Sequence, residues 1–129
     1  MTIELTYLTY VALLTGLMWV PYVLNRIAVG GLADAVGYPA DPKPLAAWAQ
    51  RLKAAHYNAV ENLVVFAAVV LVANAAGVSG EATQVCAATY FWARVVHAAA
   101  YTFAMAWVRT VAYAVGLGSV LCIAWHILF

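Results

Sequence analysis

The sequence predicts an all-α integral membrane protein, folded as one four-transmembrane-helix up-down-up-down bundle spanning residues 1–129. Three observations carry this. Of the 129 residues, 67% are hydrophobic and 9% are charged, where a soluble domain carries about 25% charged residues. Four apolar stretches, approximately 3–25, 45–76, 81–104 and 108–128, are each long enough to cross a hydrocarbon core of about 30 Å. The last two connections are short, which makes the helices they join antiparallel neighbours.

The first span, Ile3 to Asn25, carries Thr6, Thr9, Thr15 and Gly16, small residues suited to close helix contact in lipid. Pro21 lies inside it and should kink it. No Lys or Arg precedes the apolar run, and the run exceeds the roughly 7–15 residues of a signal peptide's core, so a cleaved leader is not expected. Arg26 ends the span as a snorkelling anchor or as a ligand for an anion.

The stretch from Val29 to Pro44 reads as the one real loop, broken by Gly30, Gly31, Gly37, Pro39, Pro42 and Pro44. Pro44 suits the first turn of the next helix, with Asp41 as its cap. The second helix, Leu45 to Ala76, would be about 48 Å long, so its N-terminal third must project into the headgroups. Gly77-Val78-Ser79-Gly80 is a tight turn. The third helix starts at Ser79 or Glu81 and runs to about Phe103 or Ala104. Trp107-Val108 follows a very short break, and Arg109 opens the fourth.

Arg26, Lys43, Arg51, Lys53 and Arg109 all fall at the end holding the first and third connections. The positive-inside rule places that end in the cytoplasm and the protein in the inner cell membrane. The net charge of +1 says nothing about nucleic acid, but no basic run exists to bind it, so no nucleic-acid partner is expected; membrane lipid is the medium. Cys86 and Cys122 lack any metal-ligand spacing and read as small buried hydrophobes, with neither a disulfide nor a metal expected.

The chemistry concentrates in a polar stretch that opens the second helix without a break before its apolar part. On a helix, Arg51, Asn58, Glu61 and Asn62 fall within an arc of about 100°. Glu61 then lies inside a membrane span, where an ionisable group is costly unless partnered and marks a candidate functional site. On the third helix Tyr90, Arg94, His97 and Tyr101 share one face. Counted from the Gly77–Gly80 turn, Glu61, Arg94 and His97 sit at one depth, about 21–26 Å away. A Glu61–Arg94 contact or a shared polar cluster is expected. Such a pair can fix helix register and need no ligand. The larger set, with Arg51, Asn58, His97, Tyr101, Arg109 and Tyr113, has more cations than carboxylates, which suits an anionic ligand arriving from the cytoplasm. Arg109 near a helix N-terminus would lower a bound thiol's pKa and hold its thiolate. His56 reads as a surface or subunit-contact residue and His126 as interfacial. A relay for a small solute or proton is disfavoured, because a cluster at one depth does not cross the membrane.

Three motifs, His56-x-Asn58-x-x-Glu61, Arg94-x-x-His97-x-x-x-Tyr101 and Arg109-x-x-x-Tyr113, occur in order in successive helices. In this the chain resembles the MAPEG family, membrane-associated proteins in eicosanoid and glutathione metabolism. The resemblance implies a homotrimer with glutathione as co-substrate bound between subunits on the cytoplasmic side. Asn58, Glu61, Arg94, His97 and Tyr101 would be glutathione-site positions. Arg109 would be the catalytic residue that activates the thiol, with Tyr113 beside it. The activity implied is a glutathione transferase or peroxidase acting on a lipophilic small molecule that enters from the lipid. Ala54 stands where family enzymes often carry Arg; Arg51 or Lys53 would supply that charge instead. The other reading is a non-catalytic trimeric scaffold or binding protein that keeps the ionic cluster.

Overall fold

The computed structural model describes residues 1–129. It is helical throughout, with α1 (Ile3–Leu17), α2 (Trp19–Gly30), α3 (Leu32–Val36), α4 (Ala47–Ala75), α5 (Glu81–Thr102) and α6 (Ala106–Leu128). α1 and α2 together, α4 and α6 are long and apolar enough to cross a membrane: Ile3–Gly30, Ala47–Ala75 and Ala106–Leu128. α5 does not qualify by composition. It carries Glu81, Thr83, Gln84, Arg94 and His97. Thr83, Arg94 and His97 are buried where it packs against α1, α4 and α6, while Glu81 stays exposed at its start.

The first rod breaks at Met18, between α1 and α2, three residues ahead of Pro21. The cause is Pro21 itself, which offers no N–H to the Leu17 carbonyl and clashes with it. Met18 instead bonds Thr15 O at 3.4 Å, one residue short of the α-helical reach. The expected loop is partly helical: α2 extends to Gly30, Gly31 takes a positive φ of 86°, and α3 adds one short turn. α4 begins later than expected and is capped from a distance. Asn25 Oδ1 accepts the Ala46 N–H at 2.9 Å, so Pro44 and Asp41 lie outside the helix. Arg26 Nη1 donates to Lys43 O at 3.0 Å, tying the same loop.

α4 ends in a Schellman turn. The Val78 N–H reaches Ala73 O at 2.9 Å, Gly77 N–H reaches Asn74 O, and Gly77 supplies φ 71° without steric cost. α5 ends in the same motif, with Met105 N–H on Ala100 O at 2.8 Å and Ala104 N–H on Tyr101 O. There an alanine, Ala104, holds φ 59°.

The core has two parts. Phe66, Val70, Tyr90, Val120 and Ile123 pack with Val11 toward the α4–α5 turn, with the Phe66 and Tyr90 rings stacked at 3.8 Å. Met18, Leu52, Ala55 and Ala59 form the smaller cluster toward the polar end. Many large apolar side chains stay exposed on the protomer, Val64 and Leu121 among them. Such a surface belongs against lipid or another subunit.

Two features were not anticipated. Glu4, 2% exposed, accepts from Ser79 Oγ at 3.1 Å and from Thr83 Oγ1, docking α1 on the α4–α5 turn. Thr83 Oγ1 in turn accepts the Gly80 N–H at 2.9 Å and caps α5. Cys86 and Cys122 are not free hydrophobes but form a disulfide, their Cα atoms 6.5 Å apart. The two residues are equidistant along the chain from Ala104, so antiparallel packing of α5 on α6 brings them to one level.

Candidate functional site

α4, α5 and α6 converge on one polar region near the α5–α6 connection. Their sequence sets which side chains enter it. On α4 the buried meridian runs through Leu52, Ala55, Ala59, Phe66, Val70 and Ala73, a helical 3–4 repeat. Asn58 and Asn62 flank that meridian. Glu61 is about 200° round from Ala59 at 100° per residue, and it is exposed. The expected Glu61–Arg94 contact is therefore absent within the protomer. Arg94 Nη2 donates to Asn58 Oδ1 at 2.8 Å instead.

On α5, Tyr90, Arg94 and His97 are 2%, 4% and 3% exposed, as their shared face predicts. Tyr101, one turn further on, is half-buried. The Tyr90 hydroxyl, Arg94 Nε and His97 Nδ1 are buried without a hydrogen-bond partner. Such groups are rare in a folded chain and mark a place where water or a ligand completes the set.

Small residues let α6 approach α5. A Cβ on Gly116 would lie 3.8 Å from the Tyr90 ring and 3.9 Å from the Ala93 methyl. The first two turns of α6 then bring Arg109, Thr110 and Tyr113 opposite Asn58, His97 and Tyr101 around a cavity of about 190 Å³. The Arg109 guanidinium carbon stands 4.8 Å from the Tyr101 ring centroid, in cation–π range. The His97 ring is 5.7 Å from that of Tyr101 and 6.3 Å from that of Tyr113.

Arg51 reaches the neighbouring space. Its Nε donates to Thr102 O at 2.8 Å, satisfying a carbonyl at the end of α5. It shares with Arg109, Tyr101 and Ala104 a second cavity of about 170 Å³. Arg109 and Tyr101 border both cavities. Neither cavity has a carboxylate in its wall, so two guanidiniums face space that no protein anion fills.

Seven of the eight residues expected from the sequence thus assemble: Arg51, Asn58, Arg94, His97, Tyr101, Arg109 and Tyr113. Glu61 does not join them. Thr110 and Ala104 line the cavities without any sequence signal that singled them out. His56 is half-buried rather than a free surface group, its Nδ1 paired with the Tyr22 hydroxyl at 2.7 Å. That bond holds α2 against α4.

The largest cavity is elsewhere. An apolar groove of about 700 Å³ runs along the outer side of the α5–α6 pair, between Trp92 and Val96 on one wall and Trp107, Val108 and Val111 on the other. The groove and the polar cavities are lined by different residues of α5 and α6. Its walls match lipid hydrocarbon and carry no charged side chain, their polar groups being the Thr89 hydroxyl and the indole N–H of Trp92 and Trp107, so the polar cavities are the better candidate for a reaction.

Residues 6–129 match the model of the MAPEG family. No curated protein and no solved structure gives a significant match.

Proposed function

This chain belongs to the MAPEG family, and from that premise we propose that it is a glutathione-dependent membrane transferase or peroxidase acting on lipophilic electrophiles or lipid hydroperoxides. The observation that carries the reading is Arg109. It stands in the first turn of α6 and borders two cavities without a carboxylate in either. A guanidinium and a helix N-terminus favour the same sign of ligand. A nearby Arg also stabilises a thiolate over its thiol, and the thiolate is the nucleophile. Glutathione brings carboxylates for the donor-rich wall and a thiol for Arg109.

In conjugation, the thiol proton passes to water. The sulfur lone pair then forms a bond to the electrophilic carbon as the leaving group departs with its electrons. In the peroxidase variant the thiolate attacks a peroxide oxygen and the O–O bond breaks. The alcohol leaves after taking a proton, and the sulfenic acid condenses with a second glutathione to give the disulfide and water. Neither route uses a protein nucleophile.

Self-association is part of the proposal. Exposed Glu61 lies on an outer face of α4 with Tyr57, Val60, Val64 and Val65. A carboxylate amid apolar side chains is costly against lipid. A second copy would cover that face, and a homotrimer is the assembly we propose. The cationic end would face the cytoplasm. The Cys86–Cys122 disulfide, at the opposite end, supports the same orientation, because disulfides persist on the oxidising side of a membrane.

The test is a titration of detergent-purified protein with glutathione, recording thiolate absorbance and competition by S-hexylglutathione, with R109A alongside. Thiolate that forms on the wild type and not on R109A supports the enzyme. Ala54, which leaves its own position on α4 without a cation although Arg51 and Lys53 lie close by, favours a second reading, a non-catalytic trimeric scaffold or binding protein. Binding without thiolate would select it. Absence of binding would overturn both forms of the glutathione site.

A further inference from the structure

Asn58 is gripped by its side-chain oxygen. Oδ1 accepts from Arg94 Nη2 at 2.8 Å and from Asn62 Nδ2 at 3.3 Å. A guanidinium only donates, so the Asn58 atom facing it is the oxygen. Asn62 is oriented independently. Its Nδ2 donates to the Asn58 backbone carbonyl at 2.8 Å, a group that only accepts. The two assignments agree, and the Asn58 amide nitrogen is left on the other side.

That nitrogen has two hydrogens and no acceptor within the protomer, while Asn58 borders the cavity shared with His97, Tyr101, Arg109 and Tyr113. We propose that Asn62 is a positioning residue: with Arg94 it locks the Asn58 amide so that its NH₂ group faces the cavity and donates to a carboxylate of the ligand. The inference rests on the anionic-ligand reading above and deepens it, since it names the group that Asn58 recognises. It also explains an asparagine at position 62, where α4 turns apolar. An asparagine within a helix is a weak former that competes for the backbone. Here that competition directs a second donor onto Asn58.

The test compares wild type with N62L, N62T and N58D in two titrations. One uses glutathione, followed by calorimetry and by thiolate absorbance. The other uses sulfate, an acceptor-only anion, followed as protection of the purified protein against thermal unfolding. N62L keeps the size of the side chain and removes both donors. N62T keeps a hydrogen bond to the Asn58 carbonyl but cannot reach Oδ1, and it decides the matter if N62L does not fold. N58D still accepts from Arg94 but presents no N–H.

Both Asn62 variants should bind either probe about 5-fold more weakly, the worth of one ordinary hydrogen bond. Thiolate absorbance per bound glutathione should stay at the wild-type value, because Arg109 is untouched. N58D should lose at least about 10-fold on both probes, with the charge-assisted contact replaced by repulsion. Asn62 variants with wild-type affinity for both probes would overturn the proposal. So would a matching loss of thiolate absorbance, which would mean general collapse of the site. A wild type that binds sulfate but not glutathione overturns the glutathione reading alone and leaves Asn62 to the sulfate titration. A wild type that binds neither overturns both.

Discussion

The Arg109 guanidinium lies over the face of Tyr101, its central carbon 4.8 Å from the ring centroid. The ring comes from the last turn of α5 and the cation from the first turn of α6, so the contact spans the short Phe103–Met105 connection. Stacking fixes the plane of the guanidinium while leaving its N–H groups free for a ligand. Y101F keeps the ring and should retain the thiolate signal with glutathione. Y101L should weaken it several-fold, in line with a contact of about 0.5–1 kcal/mol. R109K should fall between wild type and R109A, because an ammonium keeps the charge and loses the planar donor fork. Thiolate absorbance across the four variants reads the order directly.

Ala104 holds φ 59° in a motif whose counterpart at the end of α4 uses Gly77. The left-handed conformation costs an L-residue about 1–2 kcal/mol. A104G should therefore stabilise the protein by about 1 kcal/mol after the entropy of the unfolded glycine is counted. G77A should destabilise by a similar amount. Thermal unfolding of the two variants in one detergent tests both signs.

Glu4 has no cationic partner; its carboxylate is held by the hydroxyls of Ser79 and Thr83. E4A would strand two donors at the α4–α5 turn and should cost about 2 kcal/mol. E4Q keeps one acceptor and should cost less. The loss should appear as faster hydrogen exchange at Ser79 to Gln84, with glutathione binding at the far end unchanged.

The Cys86–Cys122 bond closes a loop with a sequence separation of 36. In the chain-entropy account such a loop is worth about 3–4 kcal/mol. The C86S/C122S double variant should unfold at lower temperature by a matching margin. Intact wild type should show no thiol reactive to maleimide until reduced. Two reactive thiols in the unreduced protein would contradict the pairing.

The membrane character was legible in the sequence, because burying a backbone in lipid leaves few alternatives to long apolar helices; the helix count was not, since four spans were expected and the chain forms six helices with three stretches apolar and long enough to cross. The shared face of Tyr90, Arg94 and His97 followed from periodicity alone. So did the cause of the kink, Pro21, though the chain breaks at the carbonyl that Pro21 abandons rather than at Pro21 itself. The pairing of charges was not legible. Equal depth on antiparallel helices brought Glu61 level with Arg94, but rotation about the α4 axis decides which side chain crosses the gap. Packing of Ala55, Ala59 and Phe66 turned Asn58 inward and Glu61 outward. The disulfide and the Glu4 latch were hidden for a similar reason. Each joins residues far apart in the chain, and neither Cys nor Glu carries a local pattern that announces a partner. Composition and period chose the helices; only their rotation and mutual approach, set by side-chain packing in three dimensions, chose which polar atoms meet.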